Sequence, residues 1–189
     1  IIRSFFQDRQ GGFFLDVGSA WPRLDSNTYL LEKQFNWQGI AIDANSDYTK
    51  NWKKHRLNCP LFNYIVSNRS NKVDKFYKFG GLGSIQKERH FGKKIIRGKE
   101  VILPTITLNK LLGENGIKKI DFISMDIEQS EVRALQGFDI TRFKPELVCI
   151  ECTVPIRSEI LAYFELNNYK LVQSYMKYNS NRFFIPRSN

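Results

Sequence analysis

Cysteine is scarce in this chain, with three among 189 residues, an odd number. Two of them, Cys149 and Cys152, fall in an apolar run (Leu147-Val148-Cys149-Ile150-Glu151-Cys152) that reads as a buried strand. Residues three apart on a strand point to opposite faces, so this C-x-x-C does not readily chelate a metal or close a disulfide. Small buried hydrophobes in a reducing, cytoplasmic compartment is the better reading. Long apolar runs are also absent, none approaching the roughly 20 residues that a membrane-spanning helix requires. The opening Ile1-Ile2-Arg3-Ser4 has no apolar leader segment and no small-residue cleavage site, and its lack of an initiator Met suggests a domain excised from a longer protein. Acidic residues are few in the middle of the chain. Residues 50–100 carry 14 Lys and Arg against Asp74, Glu88 and Glu100, whereas the rest of the chain holds 15 basic and 16 acidic side chains. The net charge of +10 therefore belongs to one segment. Such a segment is either a solvated face or a surface for phosphates of nucleic acid, anionic lipid or an acidic small substrate.

What is present suits one folded domain, residues 1–189, with 42% hydrophobic and 25% charged residues. Short apolar runs bounded by turn residues alternate with helical patterns, the signature of a βαβ fold. Strands are expected at 13–18, 39–43, 60–66, 120–125 and 147–151, with a final pair at 169–174 and 182–185. Helices are expected at 27–35, from about 47, and at 107–112, 128–137 and 155–166. Residues 68–102, basic and irregular around Gly80, Gly81 and Gly83, read as loops and short strands inserted into this order. Runs that are apolar throughout imply strands covered on both faces, hence a parallel sheet between helices.

In such sheets ligands bind beyond the carboxyl ends of the strands. Those ends are Asp16, Gly18 and Ser19; Asp43, Ala44 and Asn45; Ser67 and Asn68; Asp126; and Glu151. Four of the five carry a carboxylate. An acid closing the second strand, about 25 residues after the glycine turn of the first, has the spacing by which ribose hydroxyls are held. The fingerprint G-x-G-x-x-G is lacking, since Gly18 is followed by Ser19-Ala20-Trp21-Pro22, so a pyrophosphate cradle is not expected. A nucleoside cofactor without a diphosphate, S-adenosylmethionine, fits better.

Five motifs in order carry a family resemblance. Phe13-Phe14-Leu15-Asp16-Val17-Gly18-Ser19, Ser26-Asn27-Thr28-Tyr29-Leu30-Leu31-Glu32 and Asn36-Trp37-Gln38-Gly39-Ile40-Ala41-Ile42-Asp43-Ala44-Asn45 resemble the opening of FkbM-type methyltransferases. Pro104-Thr105-Ile106-Thr107-Leu108 and Ile120-Asp121-Phe122-Ile123-Ser124-Met125-Asp126-Ile127-Glu128, with Glu131, Leu135 and Gly137 following, resemble its second block. The resemblance implies an α/β class I methyltransferase fold, Rossmann-like, with a mostly parallel seven-stranded sheet and helices on both faces. It implies S-adenosylmethionine as cofactor, and O-methylation of a hydroxyl on a saccharide or related small molecule. On the matching positions the cofactor shell is Asp16, Gly18, Ser19, Asn27, Asp43 and Ala44, to which the strand-end argument adds Ser67 and Asn68. The chain departs from the pattern at Ala20-Trp21-Pro22, where a glycine-bearing loop is usual, and Trp21-Pro22 would narrow the methionine end. It departs also at Asp43-Ala44 in place of Glu-Pro, at Asn109 in place of an acid, and at Gln129 in place of a glycine.

Methyl transfer is an in-line displacement, so alignment supplies most of the catalysis and a general base adds on the order of 10² to 10⁴. Asp126, leaving the fourth strand, is the first candidate base. Glu128 beside it, Glu151 on the neighbouring strand and His90 in the basic insertion follow. Glu131, one turn after Glu128, reads as an exposed helix acid. Asp126 and Glu151 are also a pair that a divalent cation accepts, although sequence identifies no third ligand. Residues 68–102 are long enough to fold over the cleft as a lid, and Lys93, Lys94 and Arg97 would hold an anionic acceptor. An RNA methyltransferase using the basic segment is the second enzyme reading, but no RNA-module order or base-methylation motif accompanies the aromatics there. A non-catalytic binding domain that keeps the fold is the third.

Overall fold

The computed structural model describes residues 1–79, 82–91, 94–176 and 180–187. In chain order the elements begin with α1 (Ile2–Phe6), β1 (Phe13–Val17), α2 (Tyr29–Phe35), β2 (Gln38–Ile42), α3 (Thr49–His55), β3 (Leu61–Phe62) and β4 (Ile65–Val66). The basic segment follows with β5 (Val73–Phe79), β6 (Leu82–Ser84), β7 (Glu88–Phe91), β8 (Lys94–Arg97) and β9 (Lys99–Ile106). The chain closes with α4 (Leu108–Glu114), β10 (Phe122–Met125), α5 (Glu131–Leu135), α6 (Ile140–Phe143), β11 (Leu147–Glu151), α7 (Arg157–Leu166), β12 (Tyr169–Leu171) and β13 (Asn181–Pro186).

The main sheet has seven strands in the order β12-β13-β11-β10-β1-β2-β3. Neighbours pair in parallel except at β13, which runs against both β11 and β12. The apolar strands explain this arrangement through their period of two. Leu15, Val17, Ile123, Met125, Val148 and Ile150 enter one core, shared with α4 to α7. Phe14, Phe122, Leu147 and Cys149 enter the other, against Phe6, Leu31, Phe35 and Trp52 from α1 to α3. Both faces of the sheet are therefore apolar, as a doubly covered parallel sheet demands. Cys149 joins one core and Cys152 the other, and all three cysteines are free and buried. No described helix is long and apolar enough to cross a membrane.

Three expectations are corrected. The single strand expected at 60–66 is two, because the chain leaves the main sheet after β3 and β4 pairs with β9 instead. The basic segment is more regular than its sequence suggests: β5 and β9 form an antiparallel ladder from Val73↔Pro104 to Lys78↔Lys99, giving a second sheet ordered β4-β9-β5-β6. Lys75, Lys78 and Lys99 within these strands interrupt the apolar run that would mark them in the sequence. The helix expected at 128–137 starts only at Glu131, because Glu128 (φ 56°) and Gln129 (φ 71°) both lie in the left-handed region, which a right-handed helix cannot contain. The N-terminal α1 had no expectation attached to it.

Candidate active site

A cleft of about 150 Å³, partly open to solvent, lies at the carboxyl ends of β1, β2 and β10. Gly18, Asp43, Asp126 and Glu128 line its main-sheet wall, and Phe76 and Ser84 of the second sheet line the other. The apolar part comes from Ile42, Ala44, Tyr64 and Val66.

Gly18 makes the closest approach. Its φ is +77°, and a Cβ there would sit 1.8 Å from the Asp126 carbonyl oxygen, so no side chain is admitted. The turn after β1 and the turn after β10 thereby meet at the cleft floor. Asp43 is fixed from both sides, its Oδ1 accepting the Asn45 N–H at 2.7 Å and its Oδ2 the Ala20 N–H at 2.9 Å. Burial pushes this carboxyl up to about 6, against those two backbone donors, and the charge of Asp16 adds to the rise. A carboxylate has about four lone-pair sites, so two remain open to a ligand's hydroxyls.

Asp16 lies elsewhere. It has the strand parity of Phe14, so its side chain enters the α2 side, where Oδ2 accepts the Thr28 hydroxyl at 2.5 Å. Burial raises its pKa, opposed by Thr28 and Arg56. Thr28 accepts Arg56 Nη2 at 2.8 Å, and Arg56 Nη1 reaches the Pro22 carbonyl and Ser26 Oγ, each at 3.2 Å. Arg56 Nε donates to Glu32 in an ion pair whose two side chains are fully buried. This network clamps the β1–α2 loop from behind the cleft. Arg56 belongs to the basic 50–100 segment, which the sequence leaves open between a solvated face and an anion-binding surface, and no local signal marks it as buried.

The remaining cofactor-shell candidates spread out. Gly18, Asp43 and Ala44 line the cleft; Ser19, Asn27, Ser67 and Asn68 do not. Asn27 Nδ2 donates to Ser124 Oγ at 3.0 Å. Ser67 and Asn68 follow β4, outside the main sheet, and Asn68 Nδ2 donates to Gln136 at 3.0 Å. Trp21 packs edge-on to Tyr48, ring centres 5.1 Å apart, and lines no part of the cleft. Gln129 accepts Gln86 Nε2 at 2.8 Å, tying the second sheet to the turn after β10. Arg97 pairs with Glu88 at 2.9 Å, and neither Lys94 nor Arg97 lines the cleft. The His90 side chain and Lys93 lie outside the described residues.

Asp126, Glu131 and Glu151 converge, each offering one carboxylate oxygen within 4.8 Å of the others. Glu131 is 0% exposed, against the expectation of a surface acid, because the left-handed pair at 128 and 129 makes it the first residue of α5 and turns it inward. Its Oε1 accepts the Ile127 N–H at 2.8 Å, whereas its Oε2 is buried without a partner. Burial lifts the Glu131 pKa to about 7 against backbone donors, with Glu151 and Asp126 adding to the rise. Glu151 Oε1 accepts Ser180 Oγ at 3.1 Å. The sequence signal for Glu131 was its place in the family's second block, read with a glycine position filled by Gln129.

Buried polar atoms are nearly always paired in folded proteins. Among the described residues the unpaired side-chain atoms are Ser19 Oγ, Asn45 Nδ2, Ser130 Oγ, Glu131 Oε2 and Thr153 Oγ1. All five follow the carboxyl end of β1, β2, β10 or β11 by no more than six residues. Polar groups lacking protein partners thus gather at the ligand edge of the sheet, and together with the Asp43 cradle they fit a nucleoside cofactor.

Sheet order, strand sense and cleft position define a class I methyltransferase fold. The model of the methyltransferase FkbM domain matches residues 16–171, and the chain belongs to this S-adenosylmethionine-dependent methyltransferase family. A crystal structure of methyltransferase FkbM from Methylobacillus flagellatus KT is similar at a TM-score of 0.59 and 12% identity, covering 94% of this chain and 44% of that one. Precorrin-6y C5,15-methyltransferase from Geobacter metallireducens GS-15 is similar at a TM-score of 0.53 and 10% identity, covering 98% and 85%. The chain thus spans less than half the length of the FkbM structure. No curated protein matches it by sequence.

Proposed function

We propose that the chain is an O-methyltransferase that moves the methyl group of S-adenosylmethionine to a hydroxyl of a saccharide or related small molecule in the reducing cytoplasm. The observation that carries this reading is a single cleft holding Asp43, anchored on both oxygens, on one wall and Asp126 on the same wall at the end of β10. Asp43 would hold the ribose, the apolar surface of Ile42, Ala44 and Val66 the base, and the Gly18 turn the methionine end. The cofactor supplies an electrophilic methyl on a sulfonium. Asp126 would accept the proton of the acceptor hydroxyl, leaving an oxygen nucleophile aligned with that methyl. Glu128, in the same turn, and the second-sheet residues Phe76 and Ser84 orient the acceptor and exclude water. Residues 68–102 would act as the cover of the cleft, within one domain. The buried, free cysteines support the compartment.

Calorimetry with S-adenosylhomocysteine tests the reading. Saturable binding that is weakened at least tenfold by Asp43→Ala is expected. Absence of binding at millimolar ligand overturns it, and unchanged affinity in the variant removes Asp43 from the ribose site.

A further inference from the structure

We infer that Asp126, Glu131 and Glu151 form a binding site for an oxygen-preferring divalent cation, placed to engage an acceptor through two adjacent oxygens. Three carboxylates from the end of β10, the start of α5 and the end of β11 present oxygens within 4.8 Å of one another. Two oxygens bound to one Ca²⁺ at about 2.3–2.6 Å stand at most about 5 Å apart, and for Mg²⁺ at about 2.1 Å the limit is about 4.2 Å. For three oxygens at that upper limit the central ion stands about 2.8 Å from each, so Ca²⁺ needs a contraction of a few tenths of an ångström at most and Mg²⁺ or Mn²⁺ a larger one. The donor set is all oxygen, which selects this class of ion over zinc or copper.

The independent observation is Glu131. Its side chain is fully buried, one oxygen is committed to the Ile127 N–H, and the other is unpartnered beside two further acids. A buried carboxylate oxygen lacking a donor costs on the order of 1–3 kcal/mol, and two neighbouring carboxylates increase that cost. A cation offsets both. Ser130 and Thr153, with unpartnered hydroxyls, flank Glu131 and follow Glu151 in sequence. Asp126 belongs to the trio and also to the cleft wall, so an ion held there is reachable by an acceptor. A hydroxyl bound to such an ion loses its proton more readily. A vicinal diol or hydroxy-carboxylate is the chemical class that would chelate it. The use of the ion in catalysis rests on the methyltransferase reading; the ion site itself does not.

Mn²⁺ titration of the chelator-treated chain, followed by electron paramagnetic resonance, is the test. One saturable site per chain, displaced by Ca²⁺ or Mg²⁺, is expected, with affinity reduced at least tenfold in both Glu131→Gln and Glu151→Gln. Circular dichroism confirms that each variant folds; if Glu131→Gln does not, Glu151→Gln decides alone. Asp43→Ala should leave Mn²⁺ affinity unchanged while weakening S-adenosylhomocysteine. No saturable Mn²⁺ binding, or equal affinity in a folded variant, overturns the cation site. If S-adenosylhomocysteine binds and Mn²⁺ does not, the cation inference alone fails; the reverse result removes the cofactor reading and leaves the ion site standing.

Discussion

Asp43 is an acid whose burial raises its pKa to about 6, so the sign of its pH dependence is fixed. The charged form, which in the proposed site would accept ribose hydroxyls, is present above about 6 and is lost as pH falls through that value. S-adenosylhomocysteine affinity should therefore be flat near pH 7.5 and fall about tenfold per unit below about pH 6. Asp43→Asn should bind weakly with that inflection gone, and calorimetry at several pH values reads both. Gly18 is the second position where a single atom decides. A methyl group at Gly18 meets the Asp126 carbonyl at 1.8 Å on a backbone of φ +77°, so Gly18→Ala should lower stability by about 1–3 kcal/mol, seen as a reduced Tm. The glycine itself stands in the sequence as a turn signal. The reason it must be glycine, contact with a residue 108 positions later, does not.

Elements hold these residues in place through contacts remote in sequence. Arg56 caps α3 and reaches Glu32 of α2 and, in the loop before it, Thr28, Ser26 and the Pro22 carbonyl. Breaking a buried pair leaves an uncompensated charge, so Arg56→Met should destabilise by about 3–5 kcal/mol in denaturant unfolding. The double variant Glu32→Leu with Arg56→Met should recover much of that loss, yet still bind S-adenosylhomocysteine weakly because the loop has lost its clamp. The turn between β10 and α5 behaves differently. Gln129 holds φ 71°, a conformation suited to glycine, so Gln129→Gly should gain about 0.5–1 kcal/mol while giving up the bond to Gln86. Helix 128–137 was legible as apolar period and terminal glycine, but its true start was not, because two consecutive left-handed residues carry no apolar signature. That shift of three residues is what buries Glu131 and completes the acid trio.

At the scale of the molecule, the cleft belongs to two sheets. Phe76, Gly83 and Ser84 from the second sheet face Asp43 and Asp126 from the first, so ligand should slow amide exchange in peptides covering 76–85 and leave α7 unchanged, as read by hydrogen-exchange mass spectrometry. Equal exchange with and without S-adenosylhomocysteine in 76–85 would separate the second sheet from the binding event. The +10 charge resolves in the same terms: residues 50–100 run from α3 to β9, with Lys75 and Lys94 exposed, Arg97 paired to Glu88 and Arg56 buried against Glu32. By itself the sequence determined the doubly covered parallel sheet, the glycine turn after β1, the acid after β2 and the acids ending β10 and β11. Those properties are written in runs of neighbouring residues, as apolar period and strand-end chemistry. Only the tertiary structure decided that Asp16 faces Thr28 and not the cleft, that Ser67 ends a strand of another sheet, and that Glu131 joins Asp126 and Glu151. Each depends on which distant segment packs against the residue, on strand parity or on a backbone angle, and sidedness of that kind arises only when the sheets and helices close around one another.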